Sequence, residues 1–315
     1  MSDYAHPEVL VSTDWVRDHL DDPGVKIVEI DVDTQAYAAG HVPGAVGFNW
    51  QTQLQDDVRR DVVSRQEFER LMGGAGISSD DTVVVYGDHD NWFAAYGFWL
   101  MKLYGHEDVR LMNGGRTKWL NEDDKDLTPE VPQVTPTTYR ANGEHPELRA
   151  KIRDVLEIVE QGNQNLVDVR SPDEFTGKVI APPGMDETAQ RGGHIPGAKN
   201  VPWSTAVAED GTFKSADELK TIYLEEQGVD PGRPTVAYCR IVLAGSGQPV
   251  SARLGGKIKA GVQGFAAITA WLGPWYWPMV GAWTVTALSW LVIVVTTYSA
   301  VDYLRGALPL LLDRE

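Results

Sequence analysis

Short apolar runs alternate with amphipathic segments along the first 240 residues. Five runs rich in β-branched residues are typical of buried strands, and they occupy residues 26–30, 82–86, 109–112, 165–169 and 235–238. Three segments have the spacing of amphipathic helices, at residues 64–72, 92–104 and 215–226. Strands that alternate with helices predict an α/β fold in which parallel sheets are covered by helices on both faces.

The chain contains an internal repeat. The motif Gly-His-x-Pro-Gly-Ala at residues 40–45 recurs at residues 193–198, so that His194 follows His41 by 153 residues. Glu29 and Asp168 also correspond but lie only 139 residues apart, which predicts an insertion in the second copy, at the Pro- and Gly-rich residues 178–190. We predict two tandem domains at residues 8–128 and 147–245, joined by a Pro- and Thr-rich linker at residues 129–146.

The C-terminal segment has a different pattern. No charged residue occurs from residue 260 to residue 301, and an aromatic Gly-Pro-rich turn divides this stretch at residues 273–278. A helix that spans a bilayer needs about 20 apolar residues, so residues 250–315 are predicted to form a transmembrane helical hairpin. Arg253, Lys257, Lys259 and Arg305 flank it and would place both ends on the cytosolic side. The alternative is a buried helical pair in a soluble protein.

Charge follows the same division. The chain has a net charge of −17, but residues 241–315 carry five basic and three acidic side chains, so the first 240 residues carry −19. An acidic body repels phosphates and excludes nucleic acid as an expected partner. It suits a cytosol rich in salt, although an ordinary acidic protein is an alternative. The start lacks a signal-peptide pattern, which predicts a cytoplasmic body anchored to the membrane by the tail.

Cys239 is the single cysteine, so neither an internal disulfide nor a thiolate zinc cluster is expected. It follows a predicted strand, and ligands of open α/β sheets bind beyond the carboxyl ends of strands. Arg240 is its neighbour, and an adjacent positive charge favours the thiolate. We therefore predict that Cys239 is a nucleophile; the alternative is a buried, inert cysteine.

These motifs together resemble the two-domain rhodanese (thiosulfate sulfurtransferase) family over about residues 8–241. The resemblance rests on the repeated Gly-His-x-Pro-Gly-Ala motif, Tyr86-Gly87-Asp88, Asn113-Gly114-Gly115-Arg116, Asp168-Val169-Arg170-Ser171, Glu174-Phe175 and Tyr238-Cys239-Arg240. It implies a reaction in which Cys239 takes the outer sulfur of thiosulfate, releases sulfite and passes the sulfur from a persulfide to cyanide or a thiol. It also implies that the first copy, with Gly87 and Asp88 at the matching positions, has no nucleophile. No cofactor or metal is expected.

Further residues are predicted to contribute around Cys239. Arg240 and Arg191 are the expected substrate-binding residues. Asp168 and Arg170 follow a strand and are expected to pair and to support the active-site side of the second domain; direct contact with the substrate is the alternative. Because His41 and His194 recur in both copies, they are interpreted as structural residues of the turn. His89 and Asp90 are interpreted as a solvated loop, and the tryptophans at positions 92, 99 and 119 as core or interdomain packing.

The family pattern ends after Ile241, where Val242-Leu243-Ala244-Gly245 replaces the expected polar loop. The second domain is accordingly predicted to be truncated, which would impair its activity. The tail resembles the end of CDP-alcohol phosphatidyltransferases at residues 253–263 and 299–304, but that family's metal-binding aspartates have no counterpart here. Two alternatives to an active enzyme therefore stay open: a non-catalytic membrane-tethered module, and a fusion or assembly artefact that joins an inactive phosphatidyltransferase fragment.

Overall fold

The computed structural model describes residues 4–56, 61–180 and 191–239, all of which belong to one compact unit of residues 1–247. Within these ranges the strands are β1 Leu10–Val11, β2 Val25–Glu29, β3 Val46–Gly47, β4 Thr82–Tyr86, β5 Val109–Met112, β6 Asn165–Asp168, β7 Lys199–Asn200 and β8 Thr235–Tyr238. The α-helices there are α1 Thr13–Asp18, α2 Ala36–Ala39, α3 Trp50–Gln53, α4 Arg65–Gly74, α5 Asp88–Leu103, α6 Gly115–Leu120, α7 Ile152–Gln161, α8 Pro172–Phe175 and α9 Ala216–Lys220.

The strands form two parallel sheets, one in each copy of the repeat. The first sheet has the order β1-β5-β4-β2-β3, and the second has the order β7-β6-β8 among the described residues. Strands β2, β4 and β3 of the first sheet correspond to β6, β8 and β7 of the second. The predicted α/β fold with two parallel sheets is therefore confirmed.

Both faces of the first sheet are buried, as its uninterrupted apolar strands require. In β4, Val83 and Val85 belong to one hydrophobic cluster, whereas Val84 and Tyr86 belong to the cluster on the opposite face. The second sheet repeats this pattern, because Leu166 and Val167 of β6 lie in separate clusters. Side chains that alternate along a strand thus hold helices and loops against each sheet from two sides.

The predicted elements differ from the structure in a few places. The helix expected at residues 215–226 is α9 followed by a π-helix at Thr221–Glu226. The strand expected at residues 26–30 is displaced by one residue, and the two-residue strands β1, β3 and β7 were not predicted because so short a run has no periodicity. Regular helical backbone in α5 begins at Trp92, as predicted.

The linker predicted at residues 129–146 contains no helix or strand up to residue 145, and it is fastened along the first half. The Thr137 N–H donates to the Gly73 carbonyl at 2.8 Å, and Tyr139 is buried against the core of that half. Further along, the His145 N–H donates to the Leu103 carbonyl at 2.8 Å. This segment is therefore held against the first half by backbone hydrogen bonds.

Residues 4–56, 61–180 and 191–239 include no helix that is long and apolar enough to cross a membrane. The transmembrane hairpin predicted from the uncharged run at residues 260–301 lies outside the described residues. It stays a prediction from sequence.

Candidate active site

Cys239 lies where the sequence predicts it, one residue beyond the carboxyl end of β8. Strands β6 and β8 are paired in parallel with Asp168 opposite Tyr238, and the Val169 N–H continues the ladder to the Tyr238 carbonyl at 3.1 Å. The Cys239 side chain is half-buried. It is therefore held at the edge where an α/β sheet of this kind binds ligands.

The predicted pair of Asp168 and Arg170 is present and completely buried. Arg170 Nη2 lies 2.6 Å from Asp168 Oδ2, and its Nε lies 3.0 Å from Oδ1, while the Arg170 N–H also donates to Oδ1 at 3.0 Å. Burial alone lowers the pKa of Arg170, but the hydrogen bond and charge of Asp168 outweigh it and raise the pKa above the usual value. The guanidinium is thus charged and largely neutralised by one partner.

The Gly-His-Ile-Pro turn packs directly on this pair and on the strand that carries Cys239. Arg170 Nη2 donates to the Gly193 carbonyl at 2.7 Å, and the Ile195 N–H donates to the Tyr238 hydroxyl at 3.1 Å. Tyr238 is 2% exposed, and burial raises its pKa, so the phenol is neutral at physiological pH. The sequence reasoning did not single out Tyr238, although a tyrosine at this position in both copies was a signal for it.

The two histidines of the repeat have the structural role predicted for them. The His194 ring stacks on Phe175 at 3.7 Å between centroids, and its Nδ1 lies 2.8 Å from the Phe175 carbonyl. The His41 ring stacks on Tyr37 at 3.9 Å, with Nδ1 at 2.9 Å from the Tyr37 carbonyl. Both rings therefore close a turn against the preceding helical segment.

The two arginines expected to bind substrate differ in what the structure shows. Arg191 is exposed and stands two residues before Gly193 at the start of the turn. Arg240 lies outside the described residues, as do residues 241–245 of the loop that follows. Their roles stay predictions.

The corresponding end of the first sheet has aspartates at the positions of two arginines. In the two aligned repeats, Asp31 corresponds to Arg170, and Asp88 corresponds to Arg240. Burial, followed by the neighbouring Glu29 carboxylate, raises the pKa of Asp31 to about 9. Asp31 is therefore neutral at physiological pH, and neither it nor Asp88 supplies a positive charge that would attract an anionic substrate, in agreement with the absence of a nucleophile at Gly87.

Gly87 also could not be replaced by cysteine without a change of backbone. A Cβ atom at Gly87 would lie 2.1 Å from the Ile30 carbonyl oxygen, well inside van der Waals contact. After Asp88, the residues His89, Asp90 and Asn91 have φ values of 44°, 56° and 65°. The Asn91 side chain fixes this left-handed segment, because Oδ1 accepts from the Gly87 N–H at 3.0 Å and Nδ2 donates to the Met112 carbonyl at 2.7 Å. The interpretation of His89 and Asp90 as a solvated loop fits His89, which is exposed, whereas Asp90 is half-buried.

We expect Asp31→Asn to stabilise the protein at neutral and alkaline pH. Because the pKa of Asp31 is raised in the folded state, its contribution to stability is present below pH 4 and is lost as pH rises towards about 9. Asparagine cannot ionise, and its Oδ1 can still accept from the Asp88 N–H, now at 2.8 Å. Because each pH unit between the two pKa values is worth about 1.4 kcal/mol, the variant should exceed the wild type by several kcal/mol in free energy of unfolding at pH 8 and match it at pH 4. Urea unfolding at both pH values measures this, and an equal difference at both would contradict it.

The two halves meet beside the second sheet's carboxyl end. The Trp92 ring of the first half stacks on the Trp203 ring of the second, with 5.2 Å between centroids. The backbone N–H of Trp203 donates to the Val169 carbonyl at 3.0 Å. Nearby, Lys118 Nζ lies 2.8 Å from Asp210 Oδ2. Trp92 is thus an interdomain contact, while Trp119 is 1% exposed in the first core, as the sequence predicts.

Comparison with known proteins gives a consistent result. The model of the Rhodanese-like domain matches twice, at residues 12–122 and 152–268, so the second match extends beyond Ile241. A relative from Haloferax volcanii, named "Putative thiosulfate sulfurtransferase", is 55% identical and aligns over 76% of this chain and 84% of its own length. The sulfur carrier protein TtuD of Thermus thermophilus is 52% identical, over 76% of this chain and 84% of that protein.

A solved structure extends the comparison to the fold. The 3-mercaptopyruvate sulfotransferase SseA from Escherichia coli superposes with a TM-score of 0.65 at 28% identity, covering 75% of this chain and 92% of that one. The similarity of the tail to phosphatidyltransferases has no counterpart among these matches and stays a prediction.

Proposed function

Because the chain belongs to the rhodanese-like domain family, we propose that it is a thiosulfate sulfurtransferase in which Cys239 carries the transferred sulfur. It is a sulfurtransferase by its relatives, and the choice of thiosulfate as donor rests on the name of the Haloferax relative and on the Cys-Arg opening of the loop. The observation that supports it most directly is the position of the single cysteine, half-buried at the carboxyl end of β8 beside a buried arginine–aspartate pair.

The reaction proceeds in two displacements. The Cys239 thiolate attacks the outer sulfur of thiosulfate; a new S–S bond forms to the protein, the S–S bond within thiosulfate breaks, and sulfite leaves with the electron pair. Cyanide or a thiolate acceptor then attacks the outer sulfur of the persulfide and departs as thiocyanate or a new persulfide, while the Cys239 thiolate is regenerated. Over the full cycle the enzyme is neither oxidised nor reduced, because the thiolate of Cys239 is regenerated.

The positive charge that binds the thiosulfate dianion has to come from residues other than Arg170. The Arg170 guanidinium is buried and paired with Asp168, so little of its charge is available to a dianion. Arg191, which is exposed, and Arg240 are the proposed anion-binding residues. Backbone N–H groups of the loop after Cys239 would add to their effect, as donors that face a developing charge do in general.

A second function is a sulfur carrier that accepts sulfur without rapid turnover. The Thermus relative, which is 52% identical to this chain, is named a sulfur carrier protein. Both functions share the persulfide on Cys239 and differ only in how fast a small acceptor removes it. The same carrier could serve at a membrane if the predicted tail anchors the protein.

Intact-mass spectrometry after incubation with thiosulfate tests the proposal. We expect the mass to rise by one sulfur atom and to return to its starting value on addition of cyanide, with release of thiocyanate. A persulfide that forms but persists in cyanide would select the carrier. Protein of unchanged mass, or sulfur that is still bound by Cys239→Ser, would refute both.

A further inference from the structure

We propose that Tyr238 is a positioning residue that holds the Gly193–Ile195 turn at a fixed place beside Cys239. This inference rests on the proposed function, because Arg191 at the start of that turn is assigned to bind the sulfur donor. Tyr238 touches neither the thiol's reaction partner nor the transferred sulfur in this scheme. It acts through the segment of chain that it binds.

Two hydrogen bonds connect the turn to the strand side of the site. The Ile195 N–H donates to the Tyr238 hydroxyl at 3.1 Å, and the Gly193 carbonyl accepts from Arg170 Nη2 at 2.7 Å. One bond uses a donor of the turn and the other uses an acceptor two residues earlier. Together they restrain both the position and the rotation of the turn, which a single bond could not do.

The strand side is itself rigid. Tyr238 is paired with Asp168 in the β6–β8 register, and Asp168, Arg170 and Tyr238 are each at most 2% exposed. The Arg170 guanidinium carbon lies 6.0 Å from the centre of the Tyr238 ring. Since consecutive Cα atoms are about 3.8 Å apart, Cys239 directly adjoins this rigid part of the site.

The first half contains the same arrangement without a thiol. The Val42 N–H donates to the Tyr86 hydroxyl at 2.9 Å, and Arg116 Nη2 donates to the Gly40 carbonyl at 2.6 Å. Arg116 also pairs with the buried Glu29, which is the counterpart of Asp168. The arginine comes from a different part of the chain in each half, yet it reaches the same atom of the turn.

Comparison of Tyr86 with Tyr238 distinguishes an effect on the position of the thiol from an effect on stability. Tyr86 and Tyr238 are both buried, and each hydroxyl accepts one backbone N–H of the equivalent turn. Loss of either hydroxyl leaves that N–H without its partner and should lower stability. The Tyr86 hydroxyl also donates to the buried Glu29 carboxylate, so Tyr86→Phe should cost at least as much stability as Tyr238→Phe. Only in the second half does the next residue carry the thiol, so only there should the chemistry change.

The experiment compares Tyr238→Phe with Tyr86→Phe in the full chain. Cys239 is the single thiol, so its rate of alkylation by iodoacetamide at pH 7 reports its surroundings without any need for sulfur transfer. For Tyr238→Phe we expect alkylation to slow about fivefold and the KM for thiosulfate to rise about fivefold, with kcat changed less. For Tyr86→Phe both values should stay within about twofold of the wild type.

These measurements test the positioning role of Tyr238 independently of the proposed function. Equal changes in both variants, or no change in Tyr238→Phe, would overturn the positioning role. If wild-type protein forms no persulfide, the proposed function fails, and the alkylation rates still test the role of Tyr238. Should Tyr238→Phe not fold, Arg170→Lys replaces it, because lysine keeps the charge beside Asp168 but removes the planar group that also reaches the Gly193 carbonyl. The same slowing of alkylation is then expected, and an unchanged rate would overturn the proposal.

Discussion

Replacing Cys239 with serine should lower thiosulfate:cyanide sulfurtransfer by at least about 10³-fold, to the background rate. A hydroxyl at this position neither ionises at neutral pH nor forms the equivalent of a stable persulfide. Because the chain has no other cysteine, no second thiol can take over the role. The measurement is thiocyanate release at saturating thiosulfate, with wild type and variant purified side by side.

A control measurement has to show that the Cys239→Ser variant is folded like the wild type. Cys239 is half-buried and follows the last residue of β8, so exchange of sulfur for oxygen should shift the thermal midpoint only slightly. A variant that unfolds at the same temperature as the wild type but is inactive assigns the loss to chemistry. Equal turnover in the two proteins would remove Cys239 from the mechanism.

The second large effect concerns stability. Arg170→Ala should lower the free energy of unfolding by about 3 to 5 kcal/mol, because it leaves the Asp168 carboxylate buried without its cation. Asp168 and Arg170 are 0% and 2% exposed, so water cannot replace the lost partner. The Gly193 carbonyl loses its hydrogen bond in the same variant. Urea denaturation measures the difference.

A double-mutant cycle distinguishes the ion pair from general loss of packing. In Asp168→Asn combined with Arg170→Ala, no uncompensated charge remains, so the double variant should be more stable than Arg170→Ala alone. Additive losses would show that the two side chains act independently. The exposed pair of Lys178 and Asp173 offers a control, since Lys178→Ala should change stability by at most about 1 kcal/mol.

Sequence reasoning succeeded for features set by local pattern. Strands β4 and β8 were predicted from their apolar runs, and the carboxyl end of β8 places Cys239, although β4 is buried from Val83 onward whereas only Tyr238 of β8 is buried. The Asp168–Arg170 pair was predictable because its members are two residues apart at the end of a strand. The repeat of the Gly-His turn in a copy without cysteine predicted a structural role for both histidines, and their rings stack and hydrogen-bond with the preceding helical segments.

Features that depend on long-range packing were not predictable in the same way. Arg116 pairs with Glu29 across 87 residues, and Trp92 stacks on Trp203 across the junction of the halves. Neither contact leaves a periodic signal, because both partners are brought together only when the sheets and the loop after β7 have formed. The left-handed backbone at residues 89–91 was also missed, since non-glycine residues adopt it only where surrounding contacts compensate for its cost.

The hydrogen bonds between residues 137–145 and the first half determine where a fragment of the first half should end. A fragment that ends at residue 128 would leave His106 without the Tyr139 hydroxyl that lies 2.9 Å from its Nδ1. It would also remove the Ala141 carbonyl that accepts from Arg65 at 2.8 Å. The isolated first half should therefore be excised after residue 148, where the strap along its surface is complete.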